Sequence, residues 1–404
     1  MRAGIDWASE HHDLCVIDDA GQIVHTLRVA HDRAGLERLI ETLAAFGEPA
    51  ALPIAIERPD GLLVDRLLEA GHPVVPIPPA AFAAARDRWS SSGTKSDPAD
   101  AYRLADFLRT DGHRFRALQP FDHATRELRA LVRERADHVE ARVAATNQLA
   151  GLLATHWPGA GTIFGRLDSE IALRFLDDYP TPEAAARLGV KRLAGFCRRH
   201  RYCGRRSAEQ LLDRLGRAPA PARPLDAEIV RELVRCQTRL LRCLLWTIDA
   251  LDHAIAAHLT THPKTPVIQS LPRSGTISAA QLLAELGPIL DRAPSAEKAA
   301  AEAGASPVTA TTGKRRHGAH FRYATNPKPR QALTLWADNS RHASPWAMHV
   351  YRQARQRGCR HPHAIRILAR AWLRILYRCW HTNTPYDPNR HRNAQRLSAA
   401  PSLT

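Results

Sequence analysis

What most restricts the fold of this chain is the order in which its hydrophobic periodicity changes over the first 120 residues. "RAGIDWAS" and "HDLCVIDD" read as two strands, and "AGQIVHTLRV" follows with Gly21 at the turn, which predicts a three-stranded meander. "RAGLERLIETLAAF" spaces its apolar residues by three and four, as a helix does. "LPIAIE" is a short apolar run of buried-strand type, "GLLVDRLLEAG" a helix closed by Gly71, and "HPVVPI" another strand. "DPADAYRLADFLRTDG" is a helix with Pro98 in its first turn and Gly112 at its end. The order is three strands, helix, strand, helix, strand, helix. It leaves few topologies, and in them the first strand is central.

That order is the one a ribonuclease-H-like α/β domain uses, and residues 1–120 are assigned to it. Beyond it the pattern turns helical. One long helix is expected over 124–157, with Leu128, Val132, Val139, Val143, Thr146, Leu149 and Leu153 on its stripe. A second is expected over 226–260, where Ile229, Leu233, Cys236, Leu240, Cys243, Thr247 and Leu251 step by three and four like a coiled-coil seam. Short helices and the linker "GRAPAPARP" separate them. Either two core helices of one bundle or a protruding antiparallel coiled coil satisfies this pattern. Residues 121–262 therefore form a coiled-coil and helical insert, and 263–382 a C-terminal helical domain. The polar stretch 383–404 is expected to be a disordered basic tail.

Charge narrows the partner. The net charge is +16 over 404 residues, and nearly all of the cations are Arg. Guanidinium groups bind phosphate bidentately, so nucleic acid ranks ahead of an acidic membrane. Seven scattered Cys and no apolar leader point to a reduced, cytoplasmic setting, and no apolar run is long enough to span a membrane.

Four acids stand out. Asp6 interrupts the central strand, and Glu57 ends the neighbouring one. Asp97 and Asp100 lie three apart at a helix start and can face one point. A buried carboxylate is costly unless paired or bound to metal. Converging there, the four would hold two Mg²⁺ (or Mn²⁺) ions for phosphodiester displacement. Asp97, Pro98 and Asp100 read equally well as the cap of an ordinary helix. The conjunction of all four acids favours metal.

"GIDWA", "IAIE" followed by "GLLV", "SGTKSDPADA" with "LADFLRTD", "NSRHASPWA" and "HPHAIRILARAW" resemble the DEDD transposases of insertion sequences. These are the Piv-like recombinases, also called the IS-one-ten family. The resemblance runs from Met1 to about Asp387. It implies a RuvC-like domain of ribonuclease-H fold, a coiled-coil segment and a C-terminal transposase domain. It implies recombination of donor and target DNA, guidance by a structured bridge RNA, and a dimer that assembles into a tetramer. The catalytic acids it implies are Asp6, Glu57, Asp97 and Asp100. It also implies a serine nucleophile in a "P-x-x-x-x-S-G" pattern.

Here the chain departs from that pattern. "GASPVTATTGKRRHG" puts Thr312 five residues after Pro307, where the family has serine. A threonine hydroxyl can attack phosphorus, but its β-methyl adds bulk and restricts χ1. Lys95, Gly313, Lys314, Arg315, Arg316, Arg322, Lys328 and Arg330 are the expected nucleic-acid contacts. "SLPRSGTISAAQLLAELG" resembles a helix-hairpin-helix start in which Arg273 replaces a usual glycine. Cys197, His200 and Cys203 lack a fourth ligand for zinc, and His361 and His363 read as helix-start residues. The leading expectation is an RNA-guided transposase with Thr312 as nucleophile. The alternatives are a RuvC-like metal-dependent nuclease, or a catalytically impaired nucleic-acid-binding derivative.

Overall fold

The computed structural model describes residues 1–85, 88–89, 97–221, 223–312, 315–322 and 325–390, and between 309 and 320 it describes backbone alone. The chain divides into two compact units, Met1–Pro120 and Phe121–Thr404.

The first unit is built on a mixed five-stranded sheet of order β3-β2-β1-β4-β5. β1 (Arg2–Trp7), β2 (His11–Ile17) and β3 (Ile23–Ala30) form the antiparallel meander. β4 (Ile54–Ile56) and β5 (Val74–Pro76) add in parallel on the other side of β1, which is therefore central as expected. Alternation along β1 sorts its side chains. Ala3 and Ile5 join the core beneath α1 (Arg33–Ala44) and α2 (Leu62–Glu69). Gly4 and Asp6 face the opposite side, where α3 (Pro79–Ala85) and α4 (Asp97–Asp111) pack. The sequence pattern does not predict α3, because "PAAFAAA" contains a single large apolar residue.

The second unit is mostly helical. α5 (His123–His156) and α11 (Ala227–Thr261) run antiparallel: the guanidinium of Arg135 pairs with Asp252, and His258 lies 3.4 Å from Glu127. The short helices between them are α6 (Pro158–Ile163), α7 (Glu170–Asp178), α8 (Pro182–Ala185), α9 (Val190–Arg199) and α10 (Ala208–Gly216). They close an aromatic core around Trp157, Phe164, Phe175 and Phe196 at one end of the long pair. At the other end α12 (Thr265–Gln269), α13 (Thr276–Arg292), α14 (Ala296–Glu302), α15 (Pro327–Ser340), α16 (Pro345–Gln356) and α17 (His361–Thr382) enclose a second core. The long helices feed both cores: Leu128 and Ile255 belong to the second, Leu149 and Val234 to the first.

Three expectations change. On α11 the seam expected from spacing is the stripe turned to solvent: Ile229, Leu233 and Leu240 are 54%, 41% and 45% exposed. Trp246, on another face, is 73% exposed. The buried stripe, Val230, Val234, Thr238, Leu241, Leu244 and Ile248, sits about one position later. One residue is about 100° of helix rotation, and both stripes are apolar, so spacing cannot choose between them. The stretch around Thr312, within the domain expected to be helical, is a two-stranded antiparallel hairpin of β6 (Val308–Thr312) and β7 (Arg315–His320). Its β-branched run "VTATT" favours extended backbone. Order extends past residue 383. Tyr386 stacks against Trp372, and its backbone N–H donates to Ser270 Oγ at 2.7 Å. Residues 391–404 lie outside the described residues. No described helix is long and apolar enough to cross a membrane.

Candidate active site

A glycine positions the acids. A Cβ on Gly4 would lie 2.2 Å from the Ala101 carbonyl oxygen and 2.5 Å from the Ala105 nitrogen. Without one, α4 lies directly on β1. Its first turn, with Asp97 and Asp100, is then brought over the face on which Asp6 sits. Ile5 pairs with Ile56 across β1 and β4, so Glu57 follows on the neighbouring strand at the level of Asp6. The meander adds an acid that the motifs do not single out: Asp13 pairs directly with Asp6 across β1 and β2.

The electrostatics follow from this crowding. Burial pushes the Asp6 carboxyl up to about 6, and the charges of Asp100, Asp97, Glu57 and Asp13 push in the same direction. The other acids are partly compensated. Arg28 donates to both oxygens of Asp13, at 3.0 and 2.8 Å. Arg103 donates to Asp100 at 2.7 Å, with both side chains almost fully buried. His11 Nε2 lies 3.4 Å from Asp97 and 3.8 Å from Asp13. Among the described residues, no basic side chain pairs with Asp6. Arg28 also lies 3.9 Å from Asp97. A cluster of carboxylate oxygens suits a hard divalent cation. Asp13, His11 and Asp97 also bring ligand-type atoms within 4.8 Å of one another, so a cation here would have His11 and Asp13 at its margin. Asp13 was legible in principle. Once the β1–β2 turn is placed at residues 9–10, with Ala8 opposite His11, antiparallel counting puts 13 opposite 6.

The remaining candidates lie elsewhere. The backbone of Thr312 ends β6 and pairs with Arg315. Arg316 pairs with Thr311. Gly313, Lys314 and Lys95 lie outside the described residues. Arg322 donates to the Ser306 carbonyl at 3.3 Å, and Arg330 donates to the Arg322 carbonyl at 2.9 Å while stacking on Phe321. Lys328 lies 3.8 Å from Asp137. Arg273 takes φ +59°, the left-handed conformation that glycine would adopt without strain. Cys197 packs against the aromatic core and Cys203 is exposed, and among the described residues they form no metal-ligating group with His200.

Residues 3–158 match a family model described as a transposase of the DEDD IS110 type. Residues 265–352 match a second, the transposase IS116/IS110/IS902 family. The protein named as the mini-circle transposase for IS117 of Streptomyces coelicolor is 33% identical over 96% of this chain and 95% of its own length. The 43.6 kDa protein of insertion element IS110 from the same organism is 28% identical over 95% of each. The 42 kDa protein of IS900 from Mycobacterium paratuberculosis is 28% identical over 96% of this chain and 97% of its own. The chain belongs to the IS110 family of DEDD transposases.

Proposed function

We propose that this transposase cuts and rejoins DNA with a ribonuclease-H-like, RuvC-like N-terminal domain and the Thr312 hydroxyl, guided by a bridge RNA. One observation carries the reading: α4, seated on Gly4, brings Asp97 and Asp100 to Asp6 and Glu57, and Asp6 responds with a carboxyl raised to about 6.

Asp6, Glu57, Asp97 and Asp100 would hold one or two Mg²⁺ ions, with Mn²⁺ as an alternative. Such ions supply charge stabilisation to the attacking and leaving oxygens of a phosphodiester. Arg28 and Arg103 hold Asp13 and Asp100 in place and offset part of the repulsion among the carboxylates. Thr312 Oγ attacks phosphorus and gives up its proton. A threonine–phosphate bond forms as one P–O bond of the strand breaks, releasing a strand hydroxyl. Attack by a hydroxyl of the partner strand reverses these bonds and restores Thr312. The +16 charge supports a guide RNA beside donor and target DNA. The exposed stripe of Ile229, Leu233 and Leu240 supports a second copy as partner, since unpaired apolar helix faces at heptad-like spacing are met by another helix.

The test is strand exchange on donor and target DNA with the flanking noncoding RNA. Asp6→Asn and Asp97→Asn should each abolish exchange. Thr312→Ala should abolish the protein–DNA adduct, and Thr312→Ser should equal or exceed the parent. Equal activity of the Thr and Ala forms removes Thr312 from the mechanism. Free ends with no adduct would replace transfer by plain hydrolysis.

A further inference from the structure

Between Glu183 and Glu209 the chain carries eight Arg or Lys residues and no acid, which is half of its net charge of +16. The stretch is folded. Leu193 and Phe196 bury the inner face of α9 in the aromatic core, so the cations fall on the outer face. Arg187, Lys191 and Arg192 are exposed at the start of the helix, and Arg198, Arg199 and Arg201 at its end. Arg205 and Arg206 are exposed in the loop that follows. Among the described residues, none of these eight side chains makes a hydrogen bond, an ion pair or a ring contact.

Local stability does not account for this placement. Lys191 and Arg192 stand in the first turn of α9, where the free N–H groups of the helix end disfavour cations, and no acid of that turn offsets them. Gly195 lies midway between the two cationic ends. A Cβ there would meet nothing within 4 Å, so packing does not require glycine, and glycine weakens a helix interior. Arg201 takes φ +51° just past the helix, where the Tyr202 N–H donates to the Cys197 carbonyl at 2.9 Å. Glycine is the unstrained residue at such a left-handed helix end. Cations opposed by the helix dipole, bare backbone between them and an arginine in a glycine conformation have one use in common. They make a rigid, low, positive surface for a polyanion.

We propose that the outer face of α9 and the loop to Arg206 dock the backbone of duplex DNA away from the reacting phosphates. DNA as the partner rests on the proposed function; the metal acids and Thr312 do not enter. Lys191 and Arg198 are seven residues apart, as are Arg192 and Arg199, which is roughly 10 Å along the helix. The major groove of B-DNA is about 12 Å wide, so the two ends of α9 reach phosphates of opposite strands with Gly195 over the groove. The surface is remote from the β6–β7 hairpin, which lies between Ala305 and Leu333 of the second core. Leu128 in that core and Leu153 in the aromatic core are separated by roughly 37 Å of α5, about one turn of duplex. Contacts of this kind position the duplex and read no sequence.

The test is fluorescence anisotropy of the full-length protein with a labelled DNA duplex of about 30 base pairs and a labelled structured RNA, in EDTA so that cleavage is silent. Lys191→Gln with Arg192→Gln, and Arg198→Gln with Arg199→Gln, should each weaken DNA binding by about fivefold or more. Each pair should also lower the salt slope by about two, one for each lost phosphate contact. Arg201→Gly should lower the slope by about one. The Lys191/Arg192 pair and Arg201→Gly should keep or raise the Tm while binding falls, an outcome that a merely structural role would not give. Arg174→Gln, on α7 and paired with Glu170, is the control and should change neither affinity nor slope. Unchanged affinity and slope in both double variants, with the fold intact by circular dichroism, would overturn the proposal. So would a loss confined to the RNA probe, which would make RNA the occupant. Strand exchange reads the metal mechanism and binding in EDTA reads this surface, so either can fail without the other.

Discussion

Among the described residues, no basic side chain pairs with Asp6, and four neighbouring acids crowd it. Its carboxyl, raised from the ordinary 3.8 to about 6, binds a proton in the native state that the unfolded chain has already lost. Its contribution to stability therefore falls as pH rises from about 4 to about 6, and the repulsion is fully felt above that window. Asp6→Asn should stabilise the protein in EDTA at pH 8 by on the order of 1 kcal/mol, once solvent screening of this half-buried group is allowed for, and so raise its Tm. That gain should vanish near pH 4. Added Mg²⁺ should stabilise the parent more than the variant, and thermal melts across pH with and without Mg²⁺ check both statements. Arg273 is a second residue-scale case. Its left-handed backbone strains any side chain that carries a Cβ, so Arg273→Gly should stabilise the second unit by about 0.5–1 kcal/mol in urea titration. Asp6, Glu57, Asp97 and Asp100 were legible in the sequence because each breaks or caps an otherwise regular pattern. Asp13 and His11 interrupt no local pattern; their importance comes from cross-strand register, so Asp13 is legible only once the turn that sets the register is placed.

At the scale of elements, the contact of α4 with β1 decides the site. Gly4→Ala would drive a methyl group into the Ala101 carbonyl, and neither backbone can yield without lifting the helix. A loss of about 1–3 kcal/mol is expected from such overpacking. Mn²⁺ affinity should fall with it, because Asp97 and Asp100 ride on that helix. Urea denaturation and Mn²⁺ titration by calorimetry measure the two effects; normal Mn²⁺ binding by a destabilised Gly4→Ala protein would separate the helix position from the acids. The long helices show where element-scale reading stops. Existence and length of α5 and α11 followed from periodicity, but the buried face of α11 did not, since Ile229 and Val230 are equally apolar neighbours on adjacent faces. The β6–β7 hairpin was hidden for a related reason. Its threonines read as polar loop residues, although branching at Cβ is what favours their extended backbone.

At the scale of the whole molecule, the helical unit holds two cores joined by one antiparallel pair, and the middle of that pair is thinly covered. The Arg135–Asp252 pairing sets a register that carries Val143 of α5, 49% exposed, to the level of Leu240 and Trp246 of α11. A second copy covering this region would make assembly depend on it. Leu240→Glu with Trp246→Glu should shift the protein from oligomer to monomer in sedimentation equilibrium at micromolar concentration. The Tm of the isolated chain should move little, because both positions are exposed. An unchanged mass would place the interface elsewhere. What the amino-acid sequence determined by itself was the order of elements, the acids that interrupt it, the basic balance and the family pattern. Each of these is written in local spacing and side-chain chemistry. The tertiary structure alone decided which of two apolar stripes on α11 is buried and that Asp13 joins Asp6. Those outcomes depend on contacts between segments far apart in the chain, and no local period encodes which partner a face will meet.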